Sequence, residues 1–362
     1  MSDLPRTLFT GRRSTAVTWY RGDLPAEFLG QYWIAVEDGD GELVRKTGTP
    51  GVEFDPAAWA GRYDVVVLNQ PRGRRWLPVI RTLQAAGTKV IFEIDDYVHA
   101  VRKKRDHEFR GAFGKEVLRE YEQAMRACDA VICSTPWLGR RYRAFNPETY
   151  VCRNGLDLGR YALTRPARDR VTVGWAGATG HKDAVRPWLA AVADVMRARP
   201  HVDFLAIGQP WHRPLAAEFG EERARGIPFM ALESYPGAMT AMDVALAPAG
   251  KSNFFRGKSD LRFLEAGALG LATIADPGVY PTLEHGVSGL HAETPDEVRE
   301  HLLALADDAA LRDRLGASAR AYVERERSMT VMAAQWDAVL RAVTGRPAAG
   351  GPAPRVTAPL PA

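Results

Sequence analysis

The stretch Lys251 to Gly278 (KSNFFRGKSDLRFLEAGALGLATIADPG) sets three cations, Arg256, Lys258 and Arg262, within seven residues, with Ser259 among them and Glu265 three residues after Arg262. Loop cations beside a helix N-terminus hold an anion, and a single carboxylate one turn further on holds sugar hydroxyls. An i,i+3 salt bridge on a surface helix would use the same Arg262 and Glu265. The flanking FLEAGALGLATIA is too apolar for an exposed helix, so Glu265 is expected to be buried and to need partners. The stretch reads as the phosphate and sugar end of a nucleotide-sugar site.

Two further stretches carry chemistry. Gly174 to Asp183 (GWAGATGHKD) places Gly174, Gly177 and Gly180 in a GxxGxxG pattern between a strand and a helix, Ala184 to Ala198. Backbone N–H groups there can approach a diphosphate, with His181 and Lys182 at the helix entrance. The pattern differs from the GxGxxG dinucleotide fingerprint, and a plain tight turn would look the same. Phe92 to Ala100 (FEIDDYVHA) ends a strand with Asp95 and Asp96, and His99 follows. Adjacent acids at a strand end bind acceptor hydroxyls, and His99 or Asp96 can move a proton. A helix N-cap pair and a packed surface histidine are the plainer readings of the same residues.

These residues need a scaffold, and the chain supplies alternating elements. Ala16 to Tyr20, Asp64 to Leu68, Lys89 to Glu93 and Ala130 to Cys133 are short, β-branched and bounded by Gly, Asp or Pro, as buried strands are. Amphipathic stretches, Trp76 to Ala86 and Gly114 to Cys128, lie between them, and Tyr150 to Tyr161 leaves the first sheet. The polar Arg165 to Arg170 is a linker, after which the pattern restarts with Val171 to Trp175, Val202 to Ile207, Ile227 to Ala231, Val244 to Ala247 and Leu271 to Ile274. Pro295 to Leu305, Ala309 to Glu324 and Met329 to Val343 read as helices. The Pro/Ala/Gly-rich tail Thr344 to Ala362 lacks the apolar content to fold and is expected to be disordered. The class is α/β, two doubly wound units in tandem with ligands beyond the carboxyl ends of their strands, in a cleft between them.

Composition narrows the classes. At 362 residues and 46% hydrophobic content the chain is a folded protein of about two domains. Its start has no signal-peptide pattern and no apolar run reaches about 18 residues, so the cytoplasm is the default location. Cys128, Cys133 and Cys152 match neither a zinc nor a CxxC spacing and read as reduced core residues; no metal is expected. Residues 1–165 carry 26 Lys+Arg against 21 Asp+Glu and the remainder 22 against 23, so the net charge of +4 comes from the first half. Its clusters at Arg72 to Arg75, Val101 to Lys115 (with Arg102 and Lys103) and Gly139 to Arg143 suit an anionic acceptor or surface, although solvated helix faces would give the same pattern.

Several motifs together carry a resemblance. Asn154-Gly155-Leu156-Asp157, the loop at Gly174, Asp243 to Pro248, Leu264 to Gly270 and Glu284 to Leu290 are similar in order and spacing to the retaining GT-B glycosyltransferases, over roughly residues 150–340. The resemblance implies two Rossmann-like domains facing across a cleft: 1–165 for the acceptor, 166–328 for a nucleoside diphosphate sugar, UDP- or GDP-linked, and a last helix, 329–343, packing back on the first domain. No cofactor or metal is implied beyond that donor substrate. By position Glu265 matches the glutamate that contacts the donor ribose, and Lys258 with Lys182 the diphosphate cations. The family often has a second, sugar-contacting glutamate eight positions earlier; here that position is Gly257.

The expected activity is transfer of a sugar to an acceptor with retention and without metal. Catalytic roles fall to Asp96, His99, Lys258 and Glu265. Donor contacts fall to Gly177, Gly180, His181, Lys182, Arg256, Lys258, Ser259, Arg262 and Glu265, and acceptor contacts to Asp95, Asp96, His99, Arg102 and Lys103. The Asp-Asp-Tyr stretch also resembles glycosyltransferases of tailed phages, which leaves a modified DNA base, a polysaccharide or a lipid-linked glycan as acceptor and peripheral membrane contact open. A GT-B nucleotide-sugar epimerase and a non-catalytic nucleic-acid-binding protein are the alternatives.

Overall fold

The computed structural model describes residues 4–11, 15–39, 42–52, 55–101, 114–178 and 182–357; the side chains of residues 36–48 and 182 lie outside that description. The chain forms two compact units. One comprises Met1–Gly155, Gly257–Ser259 and Met329–Ala362, the other Leu156–Arg256 and Asp260–Ser328.

The first unit is built on a seven-stranded sheet of order β3-β2-β1-β4-β5-β6-β7. The strands are β1 Thr7–Gly11, β2 Tyr32–Gly39, β3 Glu42–Gly48, β4 Val65–Asn69, β5 Lys89–Ile94, β6 Ala130–Cys133 and β7 Thr149–Val151. Among the described strand pairs of this sheet only β2/β3 is antiparallel. β4 and β6 are buried at every residue, which explains their unbroken apolar runs. Helices Trp76–Ala85 and Lys115–Ala127 cover the sheet, with Ile80, Leu83, Tyr121 and Met125 fully buried among Leu68, Phe92 and Val131. The final helix, Met329–Thr344, sets Trp336 edge-on to Phe9 at 5.6 Å.

Two expectations fail here, and one hairpin was not expected. Ala16 to Tyr20 is no strand: Ala16–Thr18 is helical, Trp19–Asp23 is a π-helical turn and Leu24–Phe28 is helical again. The Thr15 hydroxyl caps this start by accepting from the Thr18 amide, and the strand lies earlier, at Thr7–Gly11. Local capping and burial of Leu24, Pro25 and Ala26 outweigh the β-branched preference of AVTWY. The β2/β3 hairpin has no counterpart among the expected strands. The described part of the tail, up to residue 357, is held: Val151 N donates to Pro354 O (3.0 Å), Val356 N to Thr149 O (2.8 Å), and Arg143 Nε to Val356 O (2.9 Å). Val356 packs against Gly139, where a Cβ would lie 2.7 Å from its Cγ2. Backbone groups of the edge strand β7, rather than apolar content, order these residues.

The second unit has a six-stranded parallel sheet of order β10-β9-β8-β11-β12-β13. These are β8 Val171–Gly177, β9 Val202–Gly208, β10 Ala224–Ile227, β11 Val244–Ala247, β12 Ala272–Ala275 and β13 Leu290–His291. Helices Lys182–Ala198, Pro295–Asp307 and Ala309–Glu326 flank it, and Val173, Trp175, Val192, Phe204, Ile274 and Leu302 form its core. The strand expected at Ile227 to Ala231 lies earlier, at Ala224–Ile227, and Phe229 is 60% exposed. β10 is an edge strand with Arg225 and Gly226 exposed, and Pro228 cannot donate to a ladder, so its pattern carries no apolar run.

Candidate active site

In a doubly wound sheet the ligand end is where strands on either side of the order reversal present their carboxyl termini. In the first unit Gln70, Asp95 and Ser134 each directly follow a strand, β4, β5 and β6. They therefore form a row across neighbouring strands. Gln70 Nε2 donates to Asp95 Oδ1, and Ser134 Oγ donates to the Asp95 carbonyl at 3.3 Å. Asp96 Oδ1 forms an ion pair with Lys258 Nζ at 2.7 Å. The Asp96 carbonyl accepts from the Tyr142 hydroxyl at 2.8 Å, and that hydroxyl accepts from the Val98 amide. Aspartates tied this way serve as no helix cap.

Beneath the row lies a buried polar layer without an obvious sequence signal. Arg21, 1% exposed in the π-helical turn, donates from Nε to Glu93 Oε1 at 2.6 Å and from Nη1 to Cys152 O and Asn154 Oδ1 at 2.7 and 2.9 Å. Asn69 Nδ2 donates to the other Glu93 oxygen, and Asn154 Nδ2 to Ser259 Oγ at 2.9 Å. The guanidinium also lies 5.0 Å from the Trp336 ring centroid. A π turn inside a helix commonly marks such a functional placement.

The electrostatics follow from burial. Desolvation pushes the Asp95 carboxyl up to about 8; the Asp96 and Glu93 charges add to this, and Lys258 and Arg21 oppose it. This shift favours the protonated form of Asp95, which can donate as well as accept. Burial also raises Glu93, against Arg21 and Asn69.

His99 is not part of the row. Its Nε2 faces Glu122 Oε1 at 3.2 Å and its ring stacks on Phe145 at 5.3 Å, with Tyr97 and Tyr142 alongside. Burial in this aromatic cluster lowers its pKa, against the raising effect of Glu122. Arg102 and Lys103 lie outside the described residues.

In the second unit the helix Leu261–Ala268 carries Arg262 and Glu265. Glu265 is 6% exposed and accepts from the Tyr235 hydroxyl at 3.3 Å. Burial, then Glu265 and Tyr161, raise Tyr235 well above the usual phenol range, so it remains a donor. Arg262 lies 5.3 Å from the Trp175 ring centroid, and its Nη1 is buried without a partner among the described residues. A Cβ on Gly177, at the end of β8, would lie 2.5 Å from Arg262 Nη2, so that glycine makes room for the guanidinium.

The same helix is anchored from outside the expected motif. Asp260 accepts from Arg327 Nη1 and Nη2 at 2.7 and 2.9 Å and from Thr282 Oγ1 at 2.6 Å. Among the other named residues, Arg256 is exposed at the end of the four-residue helix Asn253–Arg256. Ser259 is held by Asn154. Gly174 is a packing glycine inside β8, where a Cβ would overlap Met242 Sδ. Gly180, His181 and the Lys182 side chain lie outside the described residues. At Gly257, where the resembling family often has its second glutamate, the backbone carbonyl accepts from Thr135 Oγ1 at 3.4 Å.

Several arginines of two basic clusters have intramolecular partners. Arg72 Nε donates to Tyr121 OH at 2.8 Å, Arg74 pairs with Glu116 and Glu120, and Arg141 lies 5.1 Å from the Trp137 ring centroid. Among the described residues no group of three or more His, Cys, Asp or Glu is placed to hold a metal ion, and no helix is long and apolar enough to cross a membrane.

The chain resembles known proteins in both sequence and fold. Residues 186–338 match the model of a family described as glycosyl transferase-like. No curated protein matches. Among solved structures, Anabaena HepE in complex with UDP and glucose is similar with a TM-score of 0.67 at 14% identity, over 92% of this chain and 98% of that one. A glycosyltransferase from Rickettsia africae gives 0.63 at 12%, over 94% and 98%. The pneumococcal O-GlcNAc transferase GtfA, with UDP and GlcNAc, gives 0.56 at 16%, over 86% and 69%. The fold is GT-B, as expected from the motifs.

Proposed function

We propose that this GT-B chain, whose residues 186–338 match the glycosyl transferase-like family, moves a hexosyl group from a uridine diphosphate sugar to a hydroxylated acceptor. The observation that carries the reading is the Arg262/Glu265 pair of the second unit. One helix presents a guanidinium seated on Trp175 with a buried nitrogen that has no partner among the described residues, and a buried carboxylate one turn later. An anion completes the first and ribose hydroxyls suit the second. The similarity to structures holding UDP, UDP-glucose or GlcNAc supports UDP over GDP.

The acceptor falls to the first unit, where Asp95 and Asp96 offer one protonated and one ion-paired carboxyl to hydroxyl groups. We assign Arg262 to the charge that grows on the departing diphosphate, where fixed cations lower the barrier of such a transfer most. Retention is the stereochemical outcome that the family resemblance implies. His99 drops from the catalytic set because its ring is committed to Phe145 and Glu122. Of the basic-cluster arginines, Arg74 is ion-paired with Glu116 and Glu120, while Arg72 and Arg143 hydrogen-bond uncharged oxygens and keep their charge.

The test is a thermal-shift titration with UDP, GDP, UDP-glucose and UDP-GlcNAc, repeated on Arg262→Ala. A ligand at about 100 times its dissociation constant stabilises by about 2.7 kcal/mol, several degrees for a domain of this size. UDP should raise the melting temperature of the parent, and Arg262→Ala should need at least about tenfold more. No response of the parent to any of these ligands would remove the assignment.

A further inference from the structure

Gln70 is the only non-glycine residue with a positive φ, 44°, among the described residues. That region suits glycine and tolerates asparagine, whereas a longer side chain such as glutamine is strained there. The strain has an evident holder. The Gln70 amide donates to Glu93 O at 2.9 Å, continuing the β4/β5 ladder past its last register pair, Asn69 with Glu93. From there its carboxamide reaches across to the neighbouring strand end and donates to Asp95 Oδ1. No hydrogen bond from the described residues reaches Asp95 Oδ2. Strained backbone maintained by its surroundings clusters at sites where it orients a working group.

We propose that Gln70 is the positioning residue of the acceptor site: its left-handed backbone exists so that its carboxamide fixes one Asp95 oxygen and leaves the other for an acceptor hydroxyl. This rests on the reading of Asp95 as an acceptor contact. The groups facing Asp95 are Glu93 and Asp96 on its own strand end, Gln70 from β4, Ser134 from β6, and the charges of Lys258 and Arg21. With a single amide donor on the carboxyl, loss of Gln70 removes support from its charged form and should move its titration midpoint up. A residue that merely filled space would leave that midpoint where it is.

The experiment compares Gln70→Gly with Gln70→Ala. Both lose the carboxamide, and only alanine keeps the backbone cost. Asp95 is followed by NMR of the protein with carboxyl-labelled aspartate, its signal assigned by absence in Asp95→Asn. UDP release from UDP-glucose is measured with and without p-nitrophenyl glycosides as hydroxyl acceptors. The expected result is an upward shift of the Asp95 midpoint in both variants, and a Gln70→Gly melting temperature about 3 °C above that of Gln70→Ala. Acceptor-stimulated kcat/KM should fall about tenfold in both, with the KM for UDP-glucose unchanged. An unmoved Asp95 midpoint, or alanine as stable as glycine, overturns the inference. If the parent neither binds UDP nor releases it, the assigned function fails instead, and the titration still decides what Gln70 does to Asp95.

Discussion

Removing the Asp260 carboxylate tests how the helix bearing Arg262 and Glu265 is held. Asp260 is 7% exposed and Arg327 2%, and the carboxylate accepts two guanidinium hydrogen bonds and one from Thr282. Asp260→Ala leaves a buried guanidinium with its main counter-charge gone. Breaking one side of such a pair costs about 3–5 kcal/mol, most of it the penalty of the stranded charge. For a unit of this size that is a fall in melting temperature of roughly 10 °C. Urea unfolding followed through the fluorescence of Trp175, Trp188 and Trp211, all in the second unit, reads it directly. Removing both charges at once should cost far less: Asp260→Leu combined with Arg327→Met should lie within about 1–2 kcal/mol of the parent, because no unpaired charge remains. A loss under about 1 kcal/mol in Asp260→Ala, or a double variant as unstable as the sum of its singles, would refute the assignment of this pair as the anchor.

Three further outcomes follow from the geometry. Lys258→Ala should lower turnover of UDP-glucose by about 10²-fold, the cost of one lost donor to a developing charge, in a UDP-release assay; near-parental turnover would remove Lys258 from the mechanism. Asp95 has a folded pKa of about 8 against 3.8 as its ordinary value, so the native state holds a proton that the unfolded chain has released between those values. Stability contributed by this group is therefore lost as pH rises from about 4 through about 8. Denaturant melts from about pH 5 to 9 should show this slope in the parent and less of it in Asp95→Asn, by ~1–2 kcal/mol after discount for a half-open site; parallel curves would contradict it. Deleting residues 346–362 should uncover the backbone of β7, which now bonds Pro354 and Val356, and promote self-association measurable by light scattering; a particle size equal to the parent's would show the edge to be harmless.

The sheets were legible because β4, β5, β6, β8, β9, β11 and β12 are buried on both faces, which leaves uninterrupted apolar runs. Where burial is one-sided or local chemistry dominates, the pattern misled: β10 carries exposed residues, and AVTWY follows a capping Thr15 into a helix. The position of Asp95 and Asp96 at the end of a strand was legible from the apolar run before them. Gln70 sits by the same rule after VVVLN, but a left-handed glutamine leaves no trace in residue type. Arg21 and Glu93 are 72 residues apart, and no local period links them. Glu265 was readable as buried from its apolar flanks, whereas its partner Tyr235 and the Asp260–Arg327 anchor depend on tertiary placement. The glycines of the Gly174 stretch were visible, yet Gly174 serves Met242 and Gly177 serves Arg262 through close approach.

Met329–Ala362 belongs to the first unit, although every residue of the second unit precedes it in the chain. During synthesis the second unit can thus close while the first still lacks the helix that brings Trp336 to Phe9 and the strip that covers β7. Until Val356 has left the ribosome, β7 lacks the backbone partners that Pro354 and Val356 supply, and its margin stays open to pairing with other chains.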